Sequence, residues 1–155
     1  MKFCSPLLVV TDLARSRAFY REVFGLRVIS DFGANITFTG GLSLQTKESW
    51  ESFIHKPASE ITFGGNDAEL YFEEDDLDTF LGRLGGMDGI EYVHPPQEHG
   101  WGQRVVRIYD PDRHIIEVGE SMRVVCKRFL DAGMTPGQVA ERTQMPERFI
   151  RNCMK

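Results

Sequence analysis

The sequence is poor in the features that usually announce a function. No run of apolar residues is long enough to span a bilayer; the longest, around residues 6–10, has the length of one buried strand. No basic-then-apolar leader with a small-residue cleavage site is visible, which argues against secretion and sets the expectation of a cytoplasmic protein. The three cysteines, Cys4, Cys126 and Cys153, are odd in number and lack CxxC spacing, so they read as reduced, packed thiols. Also missing are GxSxG, a phosphate-binding P-loop, HExxH and a GxGxxG following a strand. The chemistry therefore has to be sought in how the fold places ordinary polar residues.

What is present is the composition of a globular chain: 155 residues with 41% hydrophobic, enough for one core plus a short appendage. The formal charge of −5 is unevenly spread. Residues 121–155 hold seven Lys/Arg against three acids, a net of +4, which leaves −9 for residues 1–120. So acidic a main body argues against nucleic acid as its partner.

The most informative feature is a faint internal repeat. Val10-Thr11-Asp12-Leu13 aligns with Glu74-Asp75-Asp76-Leu77 at an offset of 64 residues. Each copy has a strand before its Asp-Leu turn, a helix after it (14–24; 78–84), a glycine stop and further strands (26–29, 35–39 and 42–46; 90–93, 103–109 and 115–118). Asp12 and Asp76 stand where helix N-caps are expected, and Gly25 where a left-handed C-cap is cheap. The pattern predicts an α+β fold of two βαβββ modules, about residues 2–47 and 68–120, with antiparallel strands around a concave face and helices on the convex one. Residues 47–66 read as an irregular link carrying Trp50, Phe53, His55 and Phe63, either a cover for a sheet edge or a lid over a site. The stretch 94–102 reads as a loop.

After residue 120 the pattern turns helical, over 122–132, 136–143 and 146–154. Thr135-Pro136 supplies an N-cap and first-turn proline. The last two helices resemble a small helix-turn-helix. One reading is DNA contact through Arg148, Arg151 and Lys155. The favoured reading is an appendage that packs Val125, Phe129, Val139, Phe149 and Ile150 on its own domain or on a partner subunit.

The run Val10-Thr-Asp-Leu-Ala-Arg-Ser-Arg-Ala-Phe-Tyr-Arg-Glu-Val-Phe-Gly-Leu26 and the run Tyr109-Asp-Pro-Asp-Arg-His-Ile-Ile-Glu117 resemble the vicinal oxygen chelate superfamily, the glyoxalase, bleomycin-resistance and ring-cleaving dioxygenase group. The resemblance covers about residues 2–120 and implies a small-molecule ligand in the concave cavity and a homodimer. It also implies four metal-ligand positions, here Ser5, Gln45, Glu69 and Glu117, with Glu117 the catalytic candidate. Family enzymes carry histidine at the first and third of these. Ser5 and Glu69 stand there instead, so Gln45, Glu69 and Glu117 suit at most a hard cation such as Mg²⁺ or Mn²⁺. Phe38, Trp50, Tyr71, His99, Trp101, Gln103 and Arg104 are further candidates for the cavity wall, with Arg104 expected to meet a ligand anion or the pair Glu69 and Glu117. His94, His99 and His114 read as solvated, and Asp110-Pro-Asp112 as a structural turn. Two functions stay open: a metal-free small-molecule-binding protein, and a metal-dependent lyase, isomerase or dioxygenase.

Overall fold

A computed structural model of the chain describes residues 1–154; Lys155, expected on one reading to touch DNA, lies outside the described residues. The element order is β1 (Leu7–Val10), α1 (Leu13–Phe24), β2 (Val28–Asp31), β3 (Asn35–Phe38), β4 (Ser43–Thr46), α2 (Lys47–Ile54), β5 (Glu69–Glu74), α3 (Leu77–Gly85), β6 (Glu91–Glu98), β7 (Arg104–Tyr109), β8 (Ile115–Glu120), α4 (Met122–Asp131), α5 (Pro136–Thr143) and α6 (Glu147–Cys153). Two four-stranded mixed sheets result, ordered β1-β4-β3-β2 and β5-β8-β7-β6. These are the two βαβββ modules the repeat predicts. The chain divides into two compact units, residues 1–68 with 110–114, and residues 69–109 with 115–155.

In the first unit, Asp12 accepts the Arg15 N–H at 2.9 Å and starts α1, and Gly25 stops it at φ +67°. Alternation on the strands sends Val10, Ile36, Phe38 and Leu44 to one face, where they are buried with Tyr20 and Val23 of α1. Phe38 lies 5.8 Å from the Tyr20 ring and is fully buried, so the expectation that it lines a ligand site is wrong. It shares the face of Ile36, and that face belongs to the helix.

Residues 47–54, read from the sequence as an irregular link, form a helix instead. Thr46 caps it through the Ser49 N–H, and Glu48 in the first turn complements the helix dipole. The turn residues Asp110–His114 complete this unit. Thr11, Arg15 and Ser16 all donate to the Asp112 carboxylate. Asp110 accepts from Tyr20 at 2.9 Å and from two backbone N–H groups of its own turn.

In the second unit Asp76 caps α3 through Thr79, and Leu77, Phe80 and Leu84 are buried along one stripe. The stretch expected as a loop is the second half of β6, which continues through Pro95 and Pro96 to Glu98. The prolines are tolerated because β6 is an edge strand, and the ladder shifts register on both sides of His94. Helices α4, α5 and α6 enclose a small core of their own around Val125, Cys126, Phe129, Val139, Ile150 and Cys153. Thr135 and Gln138 form a reciprocal capping box at the start of α5. The apolar residues of this tail thus pack mainly on one another.

Candidate functional site

Strand register decides which polar residues can meet. In the second unit Tyr71 pairs with Glu117, Glu117 with Arg107 and Arg107 with His94, so one row crosses all four strands. Directly paired residues point to the same face. Glu69, two residues before Tyr71, points there as well. The Arg107 Nε donates to Glu69 at 2.9 Å, and its Nη2 forms an ion pair with Glu117. That second contact is close but is not a directed hydrogen bond. Arg107 also donates from Nη1 to His94 Nε2 at 3.2 Å. Since arginine can only donate, the His94 proton sits on Nδ1, where it reaches the Pro95 carbonyl at 2.8 Å.

The two carboxylates singled out in the sequence therefore do converge, with a guanidinium between them. Burial pushes the Glu117 carboxyl above its ordinary range, against the pull of Arg107 and with a further push from Glu69. On Arg107, burial favours loss of the proton, but the hydrogen bond to Glu69 and the charges of Glu117 and Glu69 prevail and raise its pKa.

Beside this row lies an aromatic shelf. His99 stacks on Trp101 with ring centroids 4.2 Å apart. Trp101 Nε1 donates to Gln103 Oε1 at 3.1 Å. The Gln103 amide donates to the Tyr71 hydroxyl and to the Glu120 carbonyl, both at 2.8 Å. Gly119 makes the shelf possible, because a Cβ there would stand 2.7 Å from the Gln103 amide nitrogen. Tyr71 and Trp101 keep 49% and 40% of their surface exposed, so their ring faces are accessible.

Arg104 does not belong to this face. It donates to Asp78 on α3 at 2.8 Å and to Glu120 at 2.7 Å, which places it on the helix side of the sheet. The expectation that it neutralises Glu69 and Glu117 is corrected: Arg107, missed in the sequence, does so. The three histidines expected to be solvated, His94, His99 and His114, all have partners.

The first unit offers neutral oxygens at the matching places. Ser43 Oγ lies 3.0 Å from Thr37 Oγ1 and donates to Ser5 at 3.4 Å. Leu7 pairs with Ser43 just as Tyr71 pairs with Glu117. By register the counterpart of Glu117 is thus Ser43, and Gln45 is the counterpart of Gly119. Gln45 is buried, accepts from Asn35 at 2.8 Å and donates to Ser49. Trp50, on α2, lines a pocket with Leu7, Val9 and His114.

Tested against a divalent metal, this residue set does not fit. Histidine is missing from the carried-over positions, the Ser5, Ser43 and Thr37 hydroxyls are committed to one another and Gln45 to Asn35 and Ser49, and the two carboxylates already share a cation. Among the described residues no group of three or more His, Cys, Asp or Glu could hold a metal ion. What the face of the second unit can do is offer a guanidinium, a carboxylate, a phenol and flat aromatic surface to an organic molecule.

The fold and the repeat define a protein of the vicinal oxygen chelate type. The model of the Glyoxalase-like domain family matches residues 3–123, and the chain belongs to that family. A structure of a protein of unknown function from Agrobacterium tumefaciens strain C58 is 40% identical and covers 78% of this chain and 94% of its own, with a TM-score of 0.71. A lactoylglutathione lyase from Agrobacterium tumefaciens is 25% identical, covers 77% of this chain and 93% of its own, and superposes with a TM-score of 0.57. The fosfomycin resistance protein FosX from Mesorhizobium loti, at 19% identity, covers 77% and 92% with a TM-score of 0.56 and shares the fold. No curated protein matches the sequence. Residues 124–155, with nearly all of α4 and the whole of α5 and α6, lie beyond the family match.

Proposed function

We propose that this chain is a metal-independent small-molecule-binding protein whose ligand lies on the helix-free face of the second unit. The observation that carries this reading is Arg107, which stands between Glu69 and Glu117 and supplies the positive charge that a metal would otherwise bring. The ligand class it supports is a flat, polar organic compound, stacked on Trp101 and Tyr71 and hydrogen-bonded to Glu117 and Arg107. No helix among the described residues is long and apolar enough to cross a membrane. The expected homodimer is part of this proposal, and a monomer across micromolar concentrations in light scattering would remove that part.

The competing reading is a metal-dependent lyase, isomerase or dioxygenase, of which the name of the lactoylglutathione lyase relative supports the lyase. Elemental analysis of the purified protein separates the two. Metal well below one ion per chain is expected, as is a melting temperature that Mg²⁺, Mn²⁺, Ni²⁺ and Zn²⁺ leave unmoved. Arg107→Ala should reverse this, because Glu69 and Glu117 then face each other without a cation and recruit one, so Mn²⁺ should stabilise the variant alone. A stoichiometric metal in the wild-type protein would sink the binding-protein reading. Once native mass spectrometry has supplied a ligand, Glu117→Gln should weaken its binding by about tenfold, the order expected for one charged hydrogen bond.

A further inference from the structure

Residues 124–155 lie beyond the family match, yet α4 lies against the turn that carries the aromatic shelf. That turn, residues 99–103, joins β6 to β7. Within it the His99 N–H donates to the Gln103 carbonyl at 2.9 Å, and the Gly102 N–H to the His99 carbonyl at 2.8 Å. Two of its five residues, Gly100 and Gly102, are glycines, so its backbone is loose unless something holds it.

Two side chains of α4 do so. The Arg128 guanidinium donates from Nη2 to the Gly102 carbonyl at 2.6 Å and to the Glu120 carboxylate at 3.0 Å, and its Nη1 lies 3.8 Å from Glu98. One rigid fork thus ties together the end of β6, the turn and the end of β8. Phe129 fills the space beside Gly102, its ring 2.2 Å from where a Cβ at 102 would stand. The ring is fixed in turn by the tail. It belongs to the core of Val125, Val139 and Ile150, and the Arg142 guanidinium of α5 stands 4.5 Å from its centre.

Gly102 is flanked in the chain by Trp101 and Gln103, the two residues of the shelf that bond to each other. Gln103 extends the shelf to Tyr71 and to the Glu120 carbonyl. A displacement of the Gly102 backbone therefore moves the indole and the amide together.

From this arrangement we infer that the helical tail is a positioning element of the binding face. Arg128 and Phe129 pin Gly102, and through it they fix the Trp101 indole and the Gln103 amide for a flat ligand. A shelf ordered in this way spares the ligand the cost of immobilising it on binding. The inference rests on the proposed reading of the second unit's face as the ligand site.

The full-length protein carrying Trp50→Phe, in which Trp101 is the remaining indole, provides the test, with acrylamide as the probe. Arg128→Gln and, independently, Phe129→Leu should each raise the acrylamide quenching of Trp101 by up to about twofold, since the residue starts 40% exposed, and should lower its fluorescence anisotropy. Circular dichroism should show both variants folded at the temperature of the measurement. Thr135→Ala tests for a general loosening of the tail, because it removes the capping box of α5 without touching the turn. It should lower the melting temperature and leave the Trp101 quenching as in the parent. Unchanged quenching and anisotropy in folded Arg128→Gln and Phe129→Leu proteins, or an equal change in Thr135→Ala, would overturn the inference. Neither ligand nor metal enters this measurement, so that failure would leave the binding-protein reading standing, just as a stoichiometric metal would leave the clamp standing.

Discussion

Gly102→Ala should lower the stability of the protein by about 2–5 kcal/mol, because it combines backbone strain with overpacking. Gly102 has φ +89°, a conformation that any side chain disfavours. A Cβ built on it would stand 2.2 Å from the Phe129 ring of α4, a separation no packed structure accepts. The same glycine donates its N–H to the His99 carbonyl at 2.8 Å and accepts from Arg128 at 2.6 Å. It is therefore the point where the loop after β6 and the first tail helix lock together. At a few degrees per kcal/mol for a chain of this length, the melting temperature should fall by roughly 5–20 °C in calorimetry. Phe129→Ala removes the colliding ring. The double variant should accordingly be more stable than the sum of the two single losses implies. Strict additivity, or an alanine at 102 that leaves the melting temperature unchanged, would show that helix and loop do not meet as described.

What could be read in the sequence, and what could not, follows from how each signal is carried. Asp12, Gly25, Asp76 and Thr135 act through their own neighbours, so the helix ends they fix were legible. The repeat exposed the two modules because it needs only register along the chain. Helix α2 was missed although Thr46 caps it, because Pro57 and the glycine pair at 64–65 made the whole stretch read as a link. The extension of β6 through Pro95-Pro96 was missed because proline argues against a strand unless the strand is known to lie at an edge.

The site errors have one root. Which cation meets Glu117 depends on pairing across the β7–β8 hairpin, and Tyr109 opposite Ile115 sets Arg107 opposite Glu117. Counting back from the five-residue turn would have found Arg107. Arg104 neighbours Trp101 and Gln103 in the sequence but falls on the opposite face. Phe38 lies on a strand expected to face the cavity, but its parity with Ile36 puts it in the core. Ser43 passed unnoticed for the same reason as Arg107, since only the strand register makes it the partner of Thr37 and Ser5.

Glu120→Gln should cost about 2–3 kcal/mol at neutral pH, and the cost should vanish in acid. The Glu120 side chain is 2% exposed, and its carboxylate accepts from Arg104 Nη2 at 2.7 Å and from Arg128 Nη2 at 3.0 Å. Breaking a buried pair by removing one partner is expensive because the other charge is stranded. Both arginines here are more than a third exposed on their side chains or close to it, and Arg104 keeps Asp78, so the loss should be smaller than for a fully buried pair. Burial alone would raise the Glu120 pKa, but the hydrogen bonds and charge of Arg104, with the charge of Arg128, lower it below the ordinary carboxylate value. A folded-state pKa below the unfolded one stabilises the protein above the unfolded value, and the contribution is lost as the pH falls through the folded one. Urea unfolding of wild type and Glu120→Gln should therefore differ fully at pH 7 and converge in acid, as the pH falls through the folded-state pKa of Glu120. Glu117 should behave in the opposite sense. Its raised pKa makes its contribution largest in acid and lost as the pH rises through the folded value, so wild type should lose ground to Glu117→Gln on going from acid to neutral pH. A Glu120→Gln deficit that is the same at both pH values would show that shape, not charge, holds α4 to the sheet.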